Sequence, residues 1–171
     1  MSDGRPLGAG SLAANVIAQG AVLVAALAHE EGEGATAAQA RRIGTRAGVL
    51  AVSNDAAFAT ATRELLTAVR GEGDGFWLEV ALVDAAVTSR AICEAACDLA
   101  LLAAALAHSC DGARRADYVG IAQLAAAAAT SASLLVRSNL VVSDKDWQLG
   151  AATAAAAEAS RVAQRAAADD F

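Results

Sequence analysis

Few side chains in this sequence can move a proton or hold a charge against an apolar background. Asp117 opens an Ala-rich helical pattern that ends in Arg137 and Asn139. At about 100° per residue, Asp117, Ile121, Leu124, Ala128, Ser131, Leu135 and Asn139 fall within roughly 40° of one line. A carboxylate, a hydroxyl and an amide along an apolar stripe are either paired inside a bundle or line a site. Asp117 itself is a candidate general acid or base, or a carboxylate favoured by the positive end of its helix. Ser11, Asn15 and Gln19 recur at steps of four on a second apolar stretch. They either bond to neighbouring helices, as buried amides must, or form a pocket wall with a few convergent polar groups. Asn54 and Asp55 stand one turn before Phe58. Adjacent helix positions point about 100° apart, so the spacing predicts that these two do not face one pocket together.

The cysteines offer less. Cys93 and Cys97 have an i,i+4 spacing that could hold a metal, but no nearby His completes a zinc pattern. With Cys110 they make an odd number, and they read as buried, reduced thiols of a cytoplasmic protein; no metal is expected. Arg90 and Glu94, also at i,i+4, read as an intrahelical ion pair.

The elements that must position these residues are helices. More than a quarter of the 171 residues are Ala and one is Pro, a composition that favours helix almost throughout. The length suits a single domain spanning residues 1–171. A first helix is expected from Ser11, its N-cap, to about Glu30, and a second from Thr36 to about Val69. The third runs from Phe76 to about Ser109, and the fourth from Arg114 to about Val142. The last follows Ser143, an N-cap with acids after it, to about Ala168. Short connections between such elements predict an all-α antiparallel bundle of about five helices. The net charge of −6 and the lack of a basic stripe exclude nucleic acid as a partner. Leu7 to Ala28 is uncharged and long enough for a bilayer. Asn15, Gln19 and the glycines within it favour a buried helix, and no membrane association is expected.

In order along the chain, three motifs resemble those of the cyclodeaminase/cyclohydrolase family, which includes formiminotransferase-cyclodeaminase and the methenyltetrahydrofolate cyclohydrolases. Gly8-Ala9-Gly10-Ser11 stands where the family has Gly-Gly-Gly-Ser, with Gly20 at its later glycine. Asn54-Asp55-Ala56-Ala57-Phe58 stands for Asp-Ala-Glu-Ala-Phe. Ala116-Asp117 and Asn139-Leu140 keep the family's distance between Ser-Asp and Asn-Leu. The resemblance runs from Leu7 to about Ala168. It implies a cyclodeaminase-like helical fold, a homodimer, and proton-assisted C–N chemistry on a one-carbon tetrahydrofolate, with no cofactor beyond that substrate. It also implies catalytic roles around Asp117, Asn54 and Asp55. Gly10, Ser11, Asn15, Gln19, Phe58, Arg137 and Asn139 are the candidate substrate contacts.

The departures change the chemistry. The family's catalytic Asp falls on Asn54, and an amide neither takes nor donates a proton at neutral pH. The segment after the first helix, basic in the family, is acidic here and would repel an anionic tail. Arg90 stands at the family's Pro, and Asn15 and Gln19 stand at apolar positions. Three readings follow. One is a divergent enzyme acting on a small molecule in a pocket between helices one, two and four, with Asp117 as acid or base. Another is an ordinary folate cyclohydrolase or cyclodeaminase in which Asp55 substitutes for the missing acid. The third is a non-catalytic binding or scaffold dimer.

Overall fold

The structure is a computed structural model and describes residues 8–73, 75–110, 112–140 and 147–168. The described residues form five helices: α1 Ala9–Glu30, α2 Gly34–Val69, α3 Phe76–Ser109, α4 Gly112–Asn139 and α5 Trp147–Ala168. The expected all-α bundle is what forms. Its boundaries differ at three places for local reasons. Gly8, in extended conformation, occupies the α1 N-cap position without a side-chain cap, so Ser11 is not the cap and its hydroxyl turns onto α2. α2 starts at Gly34, two residues before Thr36. α4 starts at Gly112, whose φ of 66° ends the preceding turn. Asp117 therefore lies beyond the first turn, which holds no acid. Ser143 and the extension of α4 to Val142 fall outside the described residues.

α3 is the central element and packs against each of the other four. α1 packs on α2, α3 and α4, whereas α5 touches only α3 and α4. Most of the interior is Ala, with Ile17, Ile92, Leu99, Val136 and Tyr118 as the larger fully buried side chains. Small side chains let the axes approach closely. A Cβ on Gly44 would meet the Ala21 Cβ at 3.2 Å, so α1 and α2 are nearly in backbone contact there. Close packing of many small groups replaces the few large contacts of an aromatic core.

Charged pairs tie the elements from outside. Arg46 on α2 donates to Glu94 at 3.1 Å and Asp98 at 3.4 Å on α3, and Arg90 pairs with Glu94 within α3 as expected. The Arg90 guanidinium also lies 4.8 Å from the Trp147 ring centre, pinning the start of α5 to α3. Asp98 has its carboxyl pushed up by partial burial and by Glu94, against the pull of Arg46. At the other end of the bundle, Arg114 of α4 bonds Glu31 at 2.9 Å and Glu30 at 3.2 Å. Tyr118 donates to Glu31 at 3.3 Å. α4 thus runs antiparallel to α1.

Two surfaces remain apolar. α2 has no buried residue after Asn54, and α3 has none before Ala81. The hairpin between them projects from the bundle with Phe58, Leu65, Val69, Phe76 and Trp77 exposed. The other surface is the outer face of α1 and α4. By length and composition α1, α3 and α4 could each cross a membrane; 61% of the α3 window is buried in the bundle but only 44% of those of α1 and α4. The excess apolar surface therefore belongs to α1 and α4.

Candidate functional site

The best-ordered polar cluster lies where the start of α1 crosses the middle of α2. Gly10 permits the crossing: a Cβ there would stand 2.4 Å from Asn54 Oδ1 and 2.7 Å from its Cγ and Nδ2. The Asn54 amide occupies the space a side chain at position 10 would need and is 6% exposed. Its Nδ2 donates to Ser11 Oγ at 3.1 Å. Ser11, 1% exposed, has two acceptors in reach, Asp55 Oδ1 and the Ala51 carbonyl at 3.2 Å. Phe58 follows on the same stretch and flanks Gly8, whose added Cβ would lie 3.8 Å from the ring.

This cluster corrects the expectation that Asn54 and Asp55 could not serve one place. They leave α2 in different directions, yet Ser11 sits above the groove between them, and both side chains reach its hydroxyl. One proton and two lone pairs at that oxygen give the arrangement a definite logic. With Asp55 ionised, Ser11 donates to the carboxylate and accepts from Asn54. With Asp55 protonated, the acid can donate to Ser11, whose own proton turns to the Ala51 carbonyl. Both protonation states of Asp55 keep every partner satisfied. Asp55 is also solvent-exposed, and no other hydrogen bond to it is formed among the described residues. Asn54 is buried and fixed; Asp55 is the group that can exchange a proton with a ligand.

The other candidate residues scatter. Ser11 is buried while Asn15 and Gln19 are exposed, because steps of four drift 40° each around a helix. The two amides line an open groove of about 400 Å³ between α1 and α4, with Val16, Leu23, Ile121 and Leu124. Asp117 is exposed near the start of α4, one turn from Arg114 and hence at the Glu30–Glu31 end of α1. Ile121, one turn on, packs beside Gly20, which puts Asp117 about 20 Å from the level of Ser11 at 1.5 Å per residue. At that distance Asp117 and Asn54 do not share a pocket formed by the described residues. Arg137 and Asn139 close α4 at the Ser11 end, Arg137 exposed and Asn139 half-buried, with no hydrogen bond to the cluster. The acidic turn after α1 is met by Arg114 and lies far from Ser11, so it does not face the cluster as a repulsive wall.

The cysteines form no disulfide among the described residues, with Cys93 and Cys97 buried and Cys110 only partly so. Cys93 Sγ lies within hydrogen-bonding distance of the Ala129 and Ala152 carbonyls, at 3.3 and 3.2 Å. Burial, then Cys97 and Glu94, push its thiol up to about 12, far from the thiolate a nucleophile needs. Among the described residues no three His, Cys, Asp or Glu side chains are grouped to hold a metal.

The architecture is a cyclodeaminase-like helical fold. In particular, the chain is similar in structure to formiminotetrahydrofolate cyclodeaminase from Thermotoga maritima. The TM-score is 0.76 at 19% identity, over 96% of this chain and 88% of that one. No protein-family model matches the sequence, and no curated protein matches it. At that identity the likeness concerns the fold.

Proposed function

We propose that the chain is a divergent cyclodeaminase-like enzyme acting on a small molecule by acid/base-assisted cleavage or closure of a C–N bond. Asp55 is the proton-transferring group. The observation behind this is the Asp55–Ser11–Asn54 cluster: an accessible carboxylate held by a hydroxyl that can satisfy both of its protonation states. In the reaction Asp55 protonates the departing nitrogen, or takes a proton from the attacking water, while Ser11 moves its own proton between Asp55 and the Ala51 carbonyl. Asn54 fixes Ser11 and does not itself transfer a proton. Phe58 supplies an apolar wall, and Arg137 and Asn139 are the substrate contacts nearest this end of the bundle. A reduced folate is the first substrate to try, since the structural neighbour is named for one. The protein works without a further cofactor, in the cytoplasm, as a homodimer independent of membrane and nucleic acid.

The test is to follow ammonia release from formiminotetrahydrofolate, hydrolysis of methenyltetrahydrofolate, and turnover of a panel of small amidines. Turnover that falls by 10²-fold or more in Asp55→Asn with an unchanged circular dichroism spectrum is the expected result. Turnover untouched by that substitution removes Asp55 from the mechanism. A second reading, a dimer that binds without turnover, draws on the buried amide at position 54. It takes over when none of these substrates is consumed.

A further inference from the structure

Half of the Asn54 side chain is accounted for, and half is not. A carboxamide has an NH₂ that donates and a carbonyl oxygen that accepts, and inside a protein both normally find partners. Asn54 is 6% exposed. Its Nδ2 donates to Ser11 Oγ at 3.1 Å, whereas no donor reaches its Oδ1 among the described residues. The other neighbours of Ser11 fix this orientation. The Ala51 carbonyl and an ionised Asp55 can only accept from that hydroxyl, so the third group against it must be a donor. Oδ1 is left as an unused acceptor beside Gly10. The approach past Gly8 is also clear of side chains. Its φ of −65° suits any residue, and an added Cβ would make only ordinary contacts, 3.5 Å from Asn54 Nδ2 and 3.8 Å from the Phe58 ring. Neither backbone nor packing demands glycine there, and its bare backbone leaves room beside the amide.

We propose that Asn54 determines specificity: its Oδ1 receives an N–H from the unsubstituted nitrogen of an amidinium whose charge is met by Asp55. This rests on the reaction proposed above and names the end of the substrate that the cluster reads. The cluster suits such a group on three counts. Asp55 is exposed and forms no ion pair among the described residues, so its charge is available to a cation, and the net charge of −6 adds to the attraction. The two unused positions, Asn54 Oδ1 and the outer part of the Asp55 carboxylate, are both acceptors, and an amidinium carries donors on both nitrogens and no acceptor. Phe58, exposed one turn further along α2, offers a ring to a cation or to an aryl group. A buried acceptor also discriminates sharply, because a ligand without the N–H covers Oδ1 and leaves it unpaired.

The test uses the full chain and two probes, benzamidine and its fully N-methylated cation, which keeps the ring and the charge but has no N–H. Binding is read by titration calorimetry at pH 7. Benzamidine is expected to bind at least 10-fold more tightly than the methylated cation. Asn54→Ala, with an unchanged circular dichroism spectrum, should remove that preference. Asn54→Asp also gives up the donor to Ser11 but keeps an acceptor, and it should retain the preference. The two variants thereby separate recognition by Oδ1 from the support of Ser11, which both of them lose. Benzamidine that fails to bind, equal binding of the two probes by the unmodified protein, or a preference that survives Asn54→Ala overturns the role of Asn54. Turnover in the assays above alongside such a result would keep the proposed reaction without this recognition. The expected preference in a protein that consumes no substrate would keep the recognition and remove the reaction.

Discussion

Gly10→Ala should change the sign of its effect with the residue at position 54. In the native background the added methyl lands 2.4 Å from Asn54 Oδ1 and 2.7 Å from Cγ and Nδ2, well inside van der Waals contact. The amide is short, buried and bonded to Ser11 at 3.1 Å, so it yields only by breaking that bond or by pushing α1 off α2. Overpacking of this kind costs about 1–3 kcal/mol. The helix gains about 0.5–1 kcal/mol when Gly becomes Ala, which leaves a net loss of up to about 2.5 kcal/mol. Asn54→Ala removes the obstacle. In that background Gly10→Ala keeps only the gain and should stabilise by up to about 1 kcal/mol. The two positions are then coupled by about 1–3 kcal/mol, measurable in a double-mutant cycle of urea unfolding curves followed by helical circular dichroism. Equal effects of Gly10→Ala in both backgrounds would refute the wedge and with it the reason for glycine at that crossing.

Further expectations concern the thiol, the ring and the glycine at the centre of α1. The Cys93 thiol is pushed up to about 12 from 9.0, so above pH 9 the unfolded chain releases a proton that the folded chain keeps. Stability should fall as pH rises from 9 towards 12, by up to about 1.4 kcal/mol per pH unit from this group; Cys93→Ala should flatten that slope in unfolding curves at pH 8 and 10.5. Tyr118, pushed up to about 12 by burial and by Glu31, adds to the same trend, so some slope should persist in the variant. Trp147→Ala should cost about 0.5–2 kcal/mol through the lost Arg90 contact and should raise amide exchange at the start of α5 more than elsewhere. Gly20→Ala places a methyl 3.1 Å from Leu99 Cδ2 and 3.3 Å from Ile121 Cγ2. It should lower the unfolding midpoint, a result opposite to that expected at solvent-exposed Gly48, where a Cβ meets nothing.

The fold was legible in the sequence because Ala content, one Pro and Gly-containing turns all point the same way, and local propensity needs no partner to be read. The cluster was half legible. Ser11, Asn54 and Asp55 stood out as polar groups on apolar stretches, but their convergence is a property of the α1–α2 crossing. Periodicity within α2 gives the angle between Asn54 and Asp55, and it says nothing of a hydroxyl above the groove that both can reach. The sequence signal that could have found it was Gly10, a residue disfavoured inside a helix unless something must come close. Asp117 misled for the opposite reason. Its place on the α4 stripe suggested an inward carboxylate, but only tertiary contacts reveal that the stripe begins at the far end of the bundle. Spacing by four suggests one face for Ser11, Asn15 and Gln19, but 40° of drift per step separates a buried first member from two exposed ones.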